Sequence, residues 1–336
     1  MSPGAHDAAR WVRPGPRRVL PATLVERMAQ TGIPGCRVVA TEHLSNGFRN
    51  ANFKIQLDCP PEFIVLRVYE HDASLCQKET DLMRLVRASV PVPEVLHSAP
   101  RVSDDLPPYV LLSYVEGVNL AELKLNKDAS AIAQAAYSAG ETLAAIGHFS
   151  FLTSGWLAAG PTVTVPLLEG ADPLPRFVDL CLASEHLQKR VRPQLRERAH
   201  ALMWAWARRL AATEDDARLV HCDFGKRNLL VGSSAGKWSV AAVLDWEFAV
   251  AGSPLIDLGH FLRYERAAHP VLEPYFSRGY VDRGGKLPQD WRQLSRLFDL
   301  TALCESLTRE QLTDDVEAEL VELVTATAEN RDPQVP

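Results

Sequence analysis

The sequence has no long hydrophobic run and no excess of positive charge. None of its apolar stretches approaches the roughly 20 residues that a membrane-spanning helix needs, so we expect no membrane association. The first 21 residues, MSPGAHDAARWVRPGPRRVLP, contain Arg and Pro but no hydrophobic centre, which is not the pattern of a signal peptide. The net charge is −6 and no dense basic cluster with interleaved aromatic residues occurs, so nucleic acid is not an expected partner.

The cysteines also lack a pattern. The six of them, at positions 36, 59, 76, 181, 222 and 304, form no C-x-x-C pair and show no metal-ligand spacing. This scatter predicts reduced thiols that serve as small core residues, and it indicates a cytoplasmic protein. With 336 residues, of which 46% are hydrophobic, the chain is long enough to fill the core of one large domain or of two lobes.

Strand patterns are concentrated at the front of the chain. CRVVATEHL, ANFKIQL and FIVLRVY, between residues 35 and 70, are rich in β-branched and aromatic residues and predict an antiparallel meander. Residues 72–89 have a helical period, with Leu75, Leu82 and Val86 on one stripe. PVPEVLHSAP and PYVLLSYVEG then predict two more strands, each with Pro near its start, where the missing N–H is tolerated.

Helical patterns dominate the rest of the chain. They cover residues 129–149, 174–191, 195–212, 254–266, 288–310 and 313–329. Strands followed by helices predict an α+β fold with a boundary near Glu116–Gly117. We therefore expect a leader and helix over 1–34, an N-terminal lobe over 35–116 and a helical C-terminal lobe over 117–330. A cleft between two lobes is a common place for a small ligand.

The segment LVHCDFGKRNLLV, residues 219–231, assigns two conflicting roles to Asp223. If Asp223 were the metal-binding Asp of a D-F-G triplet, a catalytic H-x-D and its Asn should precede it by about twenty residues. That region reads HALMWAWARRLAATEDD and contains no such set. If Asp223 is instead the base of an H-x-D-x-x-x-x-N pattern, a second Asp should follow a hairpin. NLLV, GSSAG and WSVAAVLDWE predict that hairpin, which delivers Asp245.

This spacing suits phosphoryl transfer. The reaction needs metal ions on the nucleotide phosphates and an acceptor hydroxyl whose proton has somewhere to go. The carboxylate of Asp245 and the amide oxygen of Asn228 are hard ligands suited to Mg²⁺. Asp223 then faces the acceptor as general base or positioning group. We expect His221 to brace the loop rather than to take part in the chemistry.

LVHCDFGKRNLLV and VLDWEFAVAGSPLIDLGHFLR together resemble the aminoglycoside phosphotransferase and choline kinase group of small-molecule kinases. The resemblance extends from about residue 36 to 310. It implies a bilobal protein-kinase-like fold, ATP (with GTP possible) and Mg²⁺ as cofactors, and a small-molecule hydroxyl acceptor as the partner. It also implies that Asp257, in SPLIDLGHF, anchors the catalytic loop through hydrogen bonds to its backbone.

In the front lobe the resemblance implies a nucleotide site. LSNGFRNANFKI, residues 44–55, is similar to the nucleotide-covering loop, with Gly47 allowing close approach to phosphate; an ordinary hairpin turn is the alternative. Glu79 lies on the apolar helical stripe and needs a cation. The family supplies one from the third strand, usually Lys, and here the position is Arg67. Arg67 either holds phosphate together with Glu79 or only ties the helix to the sheet.

Two further segments carry expected contacts. LLSYVEG resembles the hinge strand, where the carbonyl of Ser113 and the N–H of Val115 would bind adenine; a linker without ligand contacts is the alternative. Lys226 and Arg227 lie in the catalytic loop, where either is expected to stabilise transition-state charge or to remain a solvated loop charge.

The acceptor is less well specified. The candidate residues for it are four acidic and four aromatic ones: Glu116, Glu265, Asp299, Glu305, Trp246, Tyr264, Trp291 and Phe298. They define neither the acidic site that an aminoglycoside requires nor the aromatic cage that choline requires. Three functions stay open. The first is a small-molecule O-phosphotransferase; the second is a protein Ser/Thr kinase, disfavoured because no A-P-E element follows Asp245; the third is a nucleotide-binding scaffold without activity.

Overall fold

A five-stranded antiparallel sheet forms the front of the molecule. The structure is a computed structural model that describes residues 20–44, 50–70, 72–101, 106–126, 128–168, 170–213, 217–265 and 270–331. The strand order is β1-β2-β3-β5-β4. The strands are β1 Val38–Leu44, β2 Ala51–Leu57, β3 Phe63–Val68, β4 Val95–Ala99 and β5 Tyr109–Ser113. All five lie within the predicted strand segments.

Helices cover both faces of this sheet. Alternate residues of β2, including Phe53 and Ile55, are buried, as period 2 requires for a strand with one face on a core. That face packs against helix α1 (Ala22–Gly32) through Met28 and its neighbours. Helix α2 (Ser74–Val86) lies within the predicted helical segment 72–89 and belongs to the core on the opposite side.

One expectation about the cysteines is wrong. The register pairs Val38 with Leu57, and the N–H of Asp58 donates to the carbonyl of Arg37 at 3.1 Å, so Cys36 and Cys59 lie side by side and form a disulfide. The prediction was wrong because the spacing of cysteines along the chain does not show which strand ends lie next to each other in the sheet. The other four cysteines are free, and three of them are buried. The predicted cytoplasmic location stays a prediction, and this disulfide runs against the reason for it, since thiols are kept reduced there.

The second half of the chain is mainly helical. Its helices are α3 Leu120–Leu125, α4 Ala129–Ile146, α5 Pro173–Ala183, α6 Glu185–Arg190, α7 Pro193–Ala205, α8 Ala207–Ala211, α9 Leu255–Leu262, α10 Tyr275–Asp282, α11 Trp291–Leu307 and α12 Asp314–Ala328. The helix predicted over 174–191 is divided at Ser184, and that over 195–212 at Trp206. No helix of the described residues combines the length and apolarity needed to cross a membrane.

Short strands interrupt these helices. They are β6 Val118–Asn119, β7 Gly155–Ala158, β8 Thr162–Val165, β9 Arg218–Val220, β10 Leu229–Ser234, β11 Lys237–Val243 and β12 Val250–Gly252. The hairpin β10–β11 is the predicted one, and it turns at Ala235–Gly236, where φ is positive at both residues. The sheet β8-β7-β12-β9 was not predicted, because strands of three or four residues are too short to show a period of two.

Close packing of α9 positions the loop described below. A Cβ added at Gly259 would collide with the carbonyl of Ser295, so α9 touches the backbone of α11 at this point. One continuous core then extends from α2 through the catalytic region to α12. The lobe boundary near Glu116–Gly117 stays a prediction, although β5 does end just before it, at Ser113.

Candidate active site

Asp257 holds the loop that connects β9 and β10. It lies fully buried in the first turn of α9, where Oδ2 accepts the N–H of His221 at 2.7 Å and Oδ1 accepts the N–H of Cys222 at 2.8 Å. Cys222 has a positive φ of 63°, a conformation that is strained outside glycine. Burial raises the pKa of Asp257 to about 7, although these hydrogen bonds oppose the shift. The predicted anchoring of the loop backbone is confirmed.

His221 braces the loop, as predicted. Its ring is fully buried, with Nε2 3.0 Å from the carbonyl oxygen of Leu244 and Nδ1 accepting the N–H of Asp223 at 3.3 Å. Burial lowers the pKa of His221 to about 4, so the imidazole is neutral at pH 7. The ring therefore connects the backbone of Asp223 to the residue that precedes Asp245.

Asp223 presents an oriented carboxylate. Its Oδ2 accepts from Nδ2 of Asn228 at 2.7 Å, and its Oδ1 lies 3.2 Å from Nε2 of His260. Burial opposes the charge, but His260, followed by His221 and Asn228, outweighs burial and lowers the pKa of Asp223. Because 34% of the side chain is exposed, this ionised group is accessible from solvent.

His260 was not among the residues predicted for the site. It follows Asp257 by three residues in α9, and residues three apart share one face of a helix. Once Asp257 is expected to point at the catalytic loop, His260 should be expected to point there too. That spacing was the available signal.

Asn228 and Asp245 lie at the same end of the β10–β11 hairpin. Leu229 pairs with Val243, and the N–H of Leu244 donates to the carbonyl of Asn228 at 2.8 Å, so the two side chains emerge from adjacent strand ends. Their amide and carboxylate oxygens are donors that Mg²⁺ accepts. The described residues contain no group of three or more His, Cys, Asp or Glu that could hold a metal. A metal here would therefore depend on phosphate oxygens and water for its remaining ligands.

Arg67 bridges two carboxylates. Its Nη2 donates to Glu79 Oε1 at 3.2 Å and to Asp245 Oδ1 at 2.6 Å, while its Nε makes an ion-pair contact of 3.0 Å with Glu79 Oε2. Although burial disfavours the guanidinium charge, Asp245 and Glu79 outweigh it and raise the pKa of Arg67 well above its ordinary value. The ion pair with Glu79 is confirmed. The contact with Asp245 was not predicted, and it places the cation of the third strand on the proposed metal ligand.

Glu247 provides two more links between the front sheet region and the D-W-E segment. Its side chain accepts from Nδ2 of Asn50 at 3.0 Å, and its carbonyl accepts from Nζ of Lys78 at 2.8 Å. No sequence pattern indicated a role for Asn50 or Lys78, because their partner Glu247 lies 197 and 169 residues away along the chain. Gly47 lies outside the described residues.

Lys226 is buried rather than solvated. Its ammonium nitrogen lies 5.4 Å from the ring centroid of Tyr264 and 6.0 Å from that of Phe261, over the end of α9. Arg227, in the same loop, is half-buried. At the hinge, the hydroxyl of Ser113 accepts the N–H of Glu94 at 2.8 Å. The expected roles of Lys226, Ser113 and Val115 towards a nucleotide stay predictions.

A cavity of about 430 Å³ lies beside α9. It is lined from α9, residues 271–274, α11 and α12, and three of the acceptor candidates line it: Glu265, Trp291 and Asp299. The other five do not; Trp246 and Phe298 are buried in the core, and Glu116 is exposed at the hinge.

Most of the charges around this cavity are paired. Arg263 Nη2 bonds Asp299 Oδ1 at 2.6 Å, and Arg292 Nη2 bonds Glu273 at 2.8 Å. Glu265 accepts backbone N–H groups with Oε1, but within the part of the chain that the structure describes its buried Oε2 has no hydrogen-bond partner. Burial raises the pKa of Glu265, although these N–H groups and nearby Lys124 and Lys226 oppose the shift.

Comparisons with known proteins identify the family and the fold of the chain. The sequence model described as the phosphotransferase enzyme family matches residues 40–324. No curated protein matches the chain. A thermostable mutant of aminoglycoside phosphotransferase APH(4)-Ia, in ternary complex with AMP-PNP and hygromycin B, is 20% identical and superposes with a TM-score of 0.62 over 92% of this chain and 97% of its own.

Two more structures show the same fold. APH(2")-IIIa, as its GDP and kanamycin complex, is 19% identical with a TM-score of 0.65, over 90% of this chain and 98% of its own. A putative aminoglycoside phosphotransferase from Ralstonia eutropha is 17% identical with a TM-score of 0.63, over 92% and 97%. The predicted α+β, protein-kinase-like fold is confirmed.

Proposed function

Because the chain belongs to the phosphotransferase enzyme family, we propose that it is an ATP-dependent kinase that transfers the γ-phosphoryl group to a hydroxyl of a small molecule. The observation that carries this proposal is the state of Asp223. Its carboxylate is ionised, partly exposed and held on both oxygens, next to the hairpin end that bears Asn228 and Asp245. GTP is the second possible donor.

The reaction assigns one task to each group. Asn228 and Asp245 would hold Mg²⁺, which neutralises charge on the nucleotide phosphates when it is bound. Asp223 accepts the proton of the acceptor hydroxyl. At the same time the hydroxyl oxygen of the acceptor bonds to the γ-phosphorus, and the bond between that phosphorus and the nucleoside diphosphate breaks. Neutral His221 keeps the backbone of Asp223 in place and exchanges no proton.

We propose the cavity beside α9 as the acceptor pocket because three of the acceptor candidates line it, whereas Asp223, Asn228 and Asp245 lie outside its lining. An aminoglycoside is a polycation and needs several free carboxylates, whereas Asp299 and Glu273 are already paired with arginines. Glu265 keeps one oxygen without a hydrogen-bond partner among the described residues. This arrangement favours an amino alcohol over an aminoglycoside. An amino alcohol has a hydroxyl to be phosphorylated, a single donor group for Glu265 and an apolar part that can pack against Trp291.

A nucleotide-binding scaffold is the second candidate, because Arg67 already occupies one oxygen of the proposed metal ligand Asp245. A protein kinase is disfavoured. The stretch from Asp245 to Asp257 contains only β12 and the start of α9, which leaves no room for an activation segment.

The test is a screen for nucleotide consumption with amino alcohols, sugars, nucleosides and aminoglycosides as acceptors, with ATP or GTP and Mg²⁺. Acceptor-dependent release of nucleoside diphosphate that is lost in Asp223→Ala supports the kinase. Thermal stabilisation by Mg·ATP without turnover of any acceptor supports the scaffold. Turnover of aminoglycosides alone would contradict the placement of an amino alcohol beside Glu265.

A further inference from the structure

His260 stands at the end of a chain of polar contacts that leads to Asp223. Its Nε2 lies 3.2 Å from Asp223 Oδ1, and its Nδ1 lies 3.3 Å from Nη2 of Arg263. Arg263 in turn bonds both oxygens of Asp299, through Nε at 2.9 Å to Oδ2 and through Nη2 at 2.6 Å to Oδ1. Both partners of that ion pair are nearly buried, with 12% and 7% of their side chains exposed.

The chemistry of arginine sets the tautomer of His260. A guanidinium has donors only, so the Nδ1 atom that faces Arg263 must accept a hydrogen bond and carries no proton. The ring proton then lies on Nε2, the atom that faces Asp223. We propose that His260 is a positioning residue: Arg263 fixes it as the neutral Nε2–H tautomer, and this N–H fixes the carboxylate of Asp223.

The backbone around His260 supports this arrangement. An added Cβ at Gly225 would lie only 3.1 Å from Nε2, so the loop passes close to the imidazole at that point. Gly259 lets α9 approach α11, which brings Arg263 within reach of Asp299. The contacts therefore follow from helix packing and not from a flexible surface side chain.

The consequence for the carboxylate is geometric. Asn228 donates to Oδ2 and His260 approaches Oδ1, so each oxygen has its own donor and rotation of the carboxylate is restricted. With Asn228 alone, the group keeps one contact and can turn about it. The catalytic part of this inference rests on the proposed kinase function, whereas the tautomer and the contact do not.

The first test needs no activity. Multiple-bond ¹H–¹⁵N NMR spectra of histidine-labelled protein should show His260 as the neutral Nε2–H tautomer, and its Nε2 signal should shift in Asp223→Asn. An imidazolium, an Nδ1–H tautomer or an unshifted signal would overturn the proposal. Because this test is independent of turnover, a wild type that phosphorylates no acceptor would refute the kinase function only.

The second test measures the effect on turnover. His260→Leu should lower kcat about 10- to 100-fold, the scale of one lost hydrogen bond to a charged group, with the KM for nucleotide unchanged. His260→Gln places a donor near the position of Nε2 and should recover most of kcat. His200→Leu is the matched control. His200, on α7, also contacts a carboxylate, since its Nδ1 lies 2.6 Å from Asp179 on α5, but this pair is away from the catalytic loop. The His200→Leu variant should therefore leave kcat unchanged. Equal losses in the Gln and Leu variants, paralleled by equal losses in melting temperature, would make His260 merely structural.

Discussion

Replacing Asp257 by Asn tests whether one buried carboxylate holds the catalytic loop. Oδ2 of Asp257 accepts the backbone N–H of His221 at 2.7 Å, and Oδ1 accepts that of Cys222 at 2.8 Å. Asn keeps one acceptor and turns an NH₂ group towards the other N–H, so a buried donor loses its partner. That loss costs about 1–3 kcal/mol, and Asp257→Ala, which strands both donors, should cost roughly twice as much.

The change should affect catalysis as well as stability. Cys222 has a strained positive φ, its N–H is held by Asp257, and it immediately precedes Asp223. We therefore expect Asp257→Asn to lower kcat at least about 10-fold, from misplacement of the base, with a smaller effect on nucleotide KM. Urea unfolding and steady-state kinetics on the same preparation measure both quantities.

Asp128 provides the matched control. It is the exposed N-cap of α4, and its Oδ1 alone accepts two N–H groups, from Ser130 and Ala131, both at 3.0 Å. Asn retains that oxygen, so Asp128→Asn should change stability by less than about 0.5 kcal/mol. If Asp257→Asn unfolded at the wild-type urea concentration and turned over at the wild-type rate, the anchoring argument would be refuted.

Three further predictions concern the neighbouring side chains. Asp223→Ala should abolish transfer and leave nucleotide binding nearly intact, whereas Asp245→Ala should also lose Mg²⁺-dependent binding; equal behaviour of the two in calorimetry and kinetics would contradict this division of roles. Arg67→Met leaves Glu79 buried without its cation, so it should destabilise the protein by about 3–5 kcal/mol and raise the KM for ATP; an unchanged melting temperature would contradict the pairing. Burial lowers the pKa of His221 from 6.5 to about 4, so its contribution to stability is present above pH 6.5 and is lost as the pH falls towards 4. The loss is about 3 kcal/mol by linkage, and it should be absent from pH-dependent unfolding of His221→Gln.

The elements and contacts that follow from a local sequence pattern were predicted correctly. The five front strands and α2 follow from hydrophobic periodicity, and the β10–β11 hairpin follows from its turn residues. The need of Glu79 for a cation could be predicted because a carboxylate lies on an apolar stripe, and the family resemblance then indicated Arg67 as that cation. The role of Asp257 followed from the family resemblance and that of His221 from its place in the H-x-D pattern, and both agree with the hydrogen bonds observed.

Contacts between residues that are distant along the chain, and the bounds of short segments, were not predicted. The Cys36–Cys59 disulfide depends on strand register, and the contact of Arg67 with Asp245 depends on how the front sheet meets the hairpin. The helix breaks at Ser184 and Trp206 lie inside continuous helical patterns, so periodicity alone did not reveal them.

The sequence by itself determined the family, the two acidic motifs and the order of strands before helices, because spacing and periodicity are properties of the chain. Only the tertiary structure decided what surrounds Asp223. Two helices, α9 and α11, meet closely because Gly259 has no side chain. This packing brings together His260, Arg263 and Asp299, and it decides which nitrogen of His260 faces Arg263. Distances of a few ångströms between residues far apart in sequence are set by the folded core, which no local pattern records.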